Sequence, residues 1–114
     1  MAEYAAVPQV AARKIRSGIP TELAALLEPM GIPLRAVLEA RVKGQGVVVV
    51  GAGPIGLFAA ALSKIEGAAR TIVLETNPLR LRYALELGAD VAVRPGVGEP
   101  RGGGDRQAGQ CARA

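Results

Sequence analysis

The 114-residue chain contains no histidine, no tryptophan and one cysteine, Cys111. Without histidine and with a single thiol it cannot build a Cys/His zinc cluster or an internal disulfide. Aromatic residues make up only 3%, so any core must be aliphatic. Apolar stretches are short or interrupted by glycine and charge, and none has the length a bilayer requires. The start, Met1-Ala2-Glu3-Tyr4, lacks a charged segment followed by an apolar run, so no secretory signal is read. No membrane partner is expected, and the cytoplasm is the expected location. The formal charge is +4, yet residues 1–100 intersperse eleven basic with nine acidic side chains. No Lys/Arg block is paired with stacking aromatics, so no nucleic-acid partner is expected.

Half of the residues are hydrophobic, and the length allows at most one ordinary domain. Tyr4-Ala5-Ala6-Val7 reads as a short strand stopped by Pro8, and Lys14-Ile15 as another extended piece. Thr21 stands at an N-cap position before a helix whose apolar face is Leu23, Leu26 and Leu27, with Pro29 and Gly31 as its breakers. A second helix is predicted to start near Pro33 and to present Leu34, Val37, Leu38 and Val42 on one side.

From Val47 the signals sharpen. Val47-Val48-Val49-Val50 reads as a parallel-sheet strand buried on both faces, and it leads into Gly51-Ala52-Gly53-Pro54-Ile55-Gly56. Pro54 suits a first helical turn, where a missing N–H costs little. The helix is small and apolar to Ile65 and ends at Gly67. A second strand, Thr71–Leu74, is followed by Glu75, nineteen residues beyond Gly56. Asn77 is the predicted N-cap of a helix with Pro78 at its first position and Leu81, Ala84, Leu85 and Leu87 on its buried side. Gly88 is its left-handed stop, and Val91-Ala92-Val93 is a third strand. Six of the fifteen glycines fall in residues 96–114, where hydrophobic periodicity is lost, so this tail is expected to be disordered. Arg101-Gly102-Gly103-Gly104 read one base later would encode small or acidic residues, compatible with an off-frame reading of a helix start.

A strand, a Gly-x-Gly-x-x-Gly turn, a helix, a second strand and an acid at that distance form the dinucleotide-binding arrangement. A diphosphate needs backbone N–H donors and a positive field with no side chain in the way, which a helix N-terminus supplies. Gly51 permits the tight turn, Gly53 lets phosphates approach the backbone, and Gly56 lets helix and strand lie close. Pro54 and Ile55 complete the cradle. The Glu75 carboxylate can accept both hydroxyls of the adenine ribose and would repel a 2′-phosphate, which favours NAD over NADP. FAD also uses such a turn, but usually at the start of a chain, whereas 46 residues precede Val47 here.

The chain resembles the medium-chain, zinc-type alcohol dehydrogenases, in particular the polyol, butanediol and threonine dehydrogenase branch. The resemblance rests on Ala2-Glu3-Tyr4, Leu26-Leu27-Glu28-Pro29, the glycine turn through Leu57, Asn77-Pro78-Leu79-Arg80-Leu81 and Leu87-Gly88-Ala89-Asp90, in matching order over about residues 2–95. It implies oxidation of a secondary alcohol such as a polyol or an L-threonine-like substrate, with a zinc ion polarising the alcohol oxygen and NAD taking the hydride. It places Glu28 at or near the zinc, although a solvated carboxylate at a helix end explains Glu28 equally well. It places Arg80 near the adenosine; the alternative is a solvent-facing helix arginine. The family is homo-oligomeric and acts on a small-molecule alcohol.

In that family a Cys and a His-Glu pair upstream of the Ala-Glu-Tyr segment hold the zinc, and a second half of the sheet follows the third strand. Neither is present. The expected fold class is therefore α/β, a partial Rossmann unit of three parallel strands with helices. Its expected parts are a remnant of the GroES-like catalytic domain (1–20), linking helices (21–46), the N-terminal half of the NAD-binding domain (47–95) and the disordered tail (96–114). No catalytic residue is assigned, and this chain alone is expected to be inactive. The alternatives are a non-catalytic NAD-sensing module and a non-functional truncated gene product.

Overall fold

A computed structural model describes residues 3–96 and the backbone of residues 111–113. Three parallel strands alternate with helices. β1 (Gly46–Val50) leads to α3 (Pro54–Ile65), β2 (Arg70–Leu74), α4 (Pro78–Glu86) and β3 (Val91–Val93), and two helices, α1 (Thr21–Ala24) and α2 (Leu27–Glu39), precede them. The strands lie in the order β1-β2-β3-β4, with β4 formed by Cys111–Arg113. β1 pairs with β2 from Gly46↔Arg70 to Val50↔Leu74, and β2 with β3 from Ile72↔Val91 to Leu74↔Val93. β4 (Cys111–Arg113) runs antiparallel beside β3. The glycine-rich composition of the tail did not announce that strand. The rest of the expected disordered tail after Gly96, with the off-frame reading of Arg101–Gly104, lies outside the described residues.

Alanine is what lets the helices lie close to the sheet. Ala52, Ala60, Ala84 and Ala89 surround Val73, with Val49 and Leu57 packed against them. A second cluster joins Val37 and Val42 to Ala68, with Val47 and Leu62 at its margin. Two glycines stop the helices as the sequence predicts: Gly67 and Gly88 have φ of +82° and +102°, conformations that a Cβ would strain. Two hydroxyls in this interior, those of Ser63 and Thr71, are buried with no hydrogen-bond partner among the described residues.

Several expectations fail, and each failure has a physical reason. The valine strand is covered on one face only. Val47 and Val49 meet the helices, while Val48 and Val50 remain 59% and 80% exposed, because no helix among the described residues lies over that face. Pro29 and Gly31 do not break a helix, and no second helix begins at Pro33. α2 is continuous over 13 residues. Pro29 falls in its first turn, where the N–H would have no intrahelical acceptor anyway. Pro33 lies inside the helix and is buried, so packing offsets the lost hydrogen bond. Thr21 is not a cap: it is the first residue of α1, Pro20 holds the cap position, and no side chain caps the helix. Leu23, Leu26, Leu27, Leu38 and Leu87 stay about half exposed. Residues 4–7 and 14–15 are not strands, since among the described residues no neighbouring strand pairs with them.

Candidate functional site

The site stands at the C-terminal ends of β1 and β2, where open α/β sheets bind their ligands. The ladder between the two strands does not stop at Val50. The Gly51 amide donates to the Leu74 carbonyl at 2.7 Å, which ties the start of the glycine turn to the end of β2. Gly51 then adopts φ +92° and turns the chain toward α3. A Cβ on Gly56 would overlap the Gly51 carbonyl and reach Val49 Cγ1 at 3.5 Å, so only glycine allows α3 to start this close to β1. A Cβ on Gly53 would meet nothing within 4 Å, so the space above the turn is open. Gly53 is the N-cap of α3 and Pro54 its first residue, with no side-chain cap. The amides of Gly53, Ile55 and Gly56 have no acceptor among the described residues, while Leu57 already donates to the Gly53 carbonyl. Gly53, Pro54, the half-exposed Ile55 and Gly56 border an open, mainly apolar cleft of about 460 Å³ together with Val50 and Ala59.

Glu75 closes the site from the side of β2. Its amide donates to the Val93 carbonyl at 3.0 Å, so the residue is fixed at the sheet's end. Its carboxylate reaches across to the glycine turn, and the Ala52 amide donates to Oε2 at 2.8 Å. The other oxygen accepts from the amides of Thr76 (2.7 Å) and Asn77 (2.9 Å) and from the Thr76 hydroxyl (3.1 Å). The Asn77 and Ala52 amides, in that order, hold the carboxyl at about 2 against an ordinary 4.5; partial burial opposes them, and the Thr76 amide and hydroxyl add smaller contributions in their favour. The side chain is 9% exposed. Glu75 is therefore a fixed anion at neutral pH.

Asn77 begins α4 as the sequence predicts, its Oδ1 accepting from the Leu79 and Arg80 amides at 2.9 and 3.3 Å. The first turn of α4 carries Arg80 to the rim, with Nη1 3.8 Å from Glu75 Oε2 and half of the side chain exposed. At the opposite end of β2, Asp90 accepts from Lys64 Nζ and from the Thr71 amide, and these bonds hold its carboxyl below the ordinary range.

The structure thus brings Gly51, Gly53, Pro54, Ile55, Gly56, Glu75 and Arg80 to one mouth of the sheet. Glu28 is exposed in the first turn of α2. No group of three or more His, Cys, Asp or Glu side chains that could hold a metal exists among the described residues, so the donors present do not fit the zinc ion that the resemblance implies. Two participants were absent from the sequence reading: the Ala52 amide and Thr76, both bonded to Glu75. The signal for Thr76 was there, since an acid followed by Thr-Asn-Pro places consecutive amides and a hydroxyl within reach of that acid.

No family model matches the chain. It is 43% identical over 88 residues to the L-threonine 3-dehydrogenase of Bacillus licheniformis, a stretch covering 77% of this chain and 25% of that protein. The crystal structure of a short chain alcohol dehydrogenase from Escherichia coli CFT073 complexed with the cofactor NADH matches with a TM-score of 0.72 at 30% identity, over 79% of this chain and 27% of that one. Zinc dependent alcohol dehydrogenase 2 from Streptococcus pneumonia matches with a TM-score of 0.62 at 29% identity, over 71% of this chain and 24% of that one. The chain thus spans about a quarter of the length of the relatives it matches. Over that quarter its homologues are L-threonine 3-dehydrogenases and zinc-dependent alcohol dehydrogenases, a match to the zinc-type, medium-chain alcohol dehydrogenase family.

Proposed function

We propose that this chain is the dinucleotide-binding part of an NAD-dependent dehydrogenase that oxidises a secondary alcohol of polyol or L-threonine type. The observation that carries the reading is the Glu75 carboxylate held at 2.8 Å from the Ala52 amide, inside the glycine turn. An acid fixed there stands beside the three acceptor-free amides of Gly53, Ile55 and Gly56. The amides take the diphosphate, aided by the α3 dipole. The carboxylate takes the adenosine ribose. A ribose hydroxyl competes with the Thr76 hydroxyl for Oε1 and uses the remaining lone pair of Oε2. Because Glu75 stays ionised well below neutral pH, a 2′-phosphate at the same place meets a full negative charge, and NAD is preferred to NADP. Arg80, at the rim, lies against the adenosine side.

NAD, when bound, supplies the hydride acceptor. Binding and orientation are what this chain's residues contribute. No step is assigned to zinc, because its donors are not assembled here, and Glu28 is given no metal role. Residues 47–95 form the binding half, residues 21–46 link it to a remnant of the catalytic domain in 1–20, and the chain alone does not turn over an alcohol. The parent enzyme is cytoplasmic and homo-oligomeric.

The test is a fluorescence titration with NADH and NADPH; the chain has no tryptophan to interfere. NADH should bind at least about tenfold more tightly than NADPH, a difference of ~1.4 kcal/mol. Glu75→Ala should erase the preference and Gly53→Val should abolish binding of both. Equal affinity for the two cofactors in the unaltered chain, or binding untouched by Gly53→Val, would overturn the reading.

A further inference from the structure

Building on the NAD site just proposed, we infer that Thr76 is a specificity-determining residue. Its hydroxyl holds the place on Glu75 that a ribose hydroxyl needs, and so weakens NAD binding and narrows the preference over NADP.

The carboxylate of the free chain is nearly full. Each of its oxygens offers about two lone pairs. Oε2 accepts from the Ala52 amide at 2.8 Å. Arg80 Nη1 stands 3.8 Å from Oε2, beyond hydrogen-bond reach. Oε1 accepts from the Thr76 amide, the Asn77 amide and the Thr76 hydroxyl. Oε2 thus has room for one further donor and Oε1 for none. A ribose brings two hydroxyls. The second reaches the carboxylate only when a donor on Oε1 leaves.

Only one of the donors can leave cheaply. The Ala52 amide belongs to a turn whose preceding residue, Gly51, is bonded to Leu74. The Thr76 and Asn77 amides lie between Glu75, bonded through its own amide to Val93, and the start of α4, which the Asn77 side chain caps. Withdrawing any of these amides moves a strand end or a helix start. The Thr76 hydroxyl makes the longest of the four bonds, at 3.1 Å, on an exposed side chain. Rotation about χ1 releases it to water.

Release still has a cost. A donor tethered one residue away competes for the carboxylate better than free water does, and a hydrogen bond to a charged group is among the stronger ones. The cost falls fully on NAD, which brings both ribose hydroxyls. It falls less on NADP, whose 2′ oxygen carries a phosphate and has no hydroxyl to offer. Valine at this position keeps the branched shape and removes the donor. The three amides then still hold the carboxylate in place, and they still hold it ionised, because the hydroxyl is the smallest of the influences that lower its pKa.

The experiment titrates the unaltered chain, Thr76→Val and Thr76→Ser with NADH and NADPH by cofactor fluorescence. Without cofactor, NMR follows the Glu75 carboxyl through acid pH. Thr76→Val should bind NADH at least about threefold more tightly, with a smaller gain for NADPH. Its Glu75 carboxyl should titrate higher than in the unaltered chain, since a bond to the charged form is gone. Thr76→Ser keeps the hydroxyl and should match the unaltered chain in both readouts. If the unaltered chain prefers NADH but Thr76→Val binds it no more tightly, or gains equally for NADPH, the role of Thr76 is overturned and the NAD site stands. An unmoved Glu75 titration in Thr76→Val overturns it in the same way. An unaltered chain with no preference for NADH overturns the site, and the role of Thr76 with it.

Discussion

Residues 3–26 and residues 46–93 have similar shares of apolar side chains but very different fates. In the first region no residue is buried; Tyr4 is 89% exposed and Val10 78%. In the second, Val73, Ala60 and Ala84 are fully buried within a sheet and its helices. Composition does not separate the two. What separates them is whether each hydrophobic run finds its partner within the chain. β1, β2 and β3 are joined by helices that bring them side by side, whereas Tyr4–Val7 has no strand to pair with among the described residues.

The sharpest way to break that contrast is at Gly56. Gly56→Val places a side chain on the Gly51 carbonyl and forces α3 off β1. It should cost ~3 kcal/mol or more in a urea titration, enough to unfold the half. Tyr4→Ala in the arm should change stability by less than about 0.5 kcal/mol. Comparable losses at both positions would mean that the arm is packed after all.

Acid should divide the regions next. The Glu75 carboxyl is depressed to about 2 in the fold and returns to about 4.5 when the chain unfolds. Its stabilisation is therefore complete above about 4.5 and fades as pH falls toward 2. Asp90 adds a loss of the same sign. Circular dichroism should show the sheet half losing stability across this interval, and Glu75→Gln should flatten the dependence while lowering stability at pH 7. An unchanged acid profile in Glu75→Gln would mean that the carboxylate does not bridge the strands.

The mildest comparison sets two helix starts against each other. Asn77→Ala removes a side chain that accepts from two amides and should cost ~1 kcal/mol. Thr21→Ala removes a side chain that caps nothing and should be neutral within about 0.5 kcal/mol in the same denaturant titration.

These pairs also show what could be read from the residues alone. Gly51, Gly67, Gly88 and Asn77 were legible because a left-handed φ or a cap depends on a few adjacent atoms. The place of Glu75 was legible because a strand–helix–strand unit has nearly fixed length. The burial of Val48 and Val50 was not, since it depends on whether distant helices cover that face. Pro33 misled for a related reason: local rules count the hydrogen bond it removes, and only packing reveals that the helix persists through it. Thr21 failed because a capping residue is identified by where the chain enters the helix, and Pro20 already occupies that point. The Ala52 amide could not be found at all, since a backbone donor's partner across 23 residues leaves no trace in residue type.

The glycine turn is pinned from two directions, by the Gly51 amide on the Leu74 carbonyl and by the Ala52 amide on Glu75. A loop anchored in this way has little freedom left to surrender when a ligand arrives. Most of the contact energy then appears as affinity instead of going into ordering the receptor. The mouth of this sheet is accordingly a mould already set before anything is poured into it.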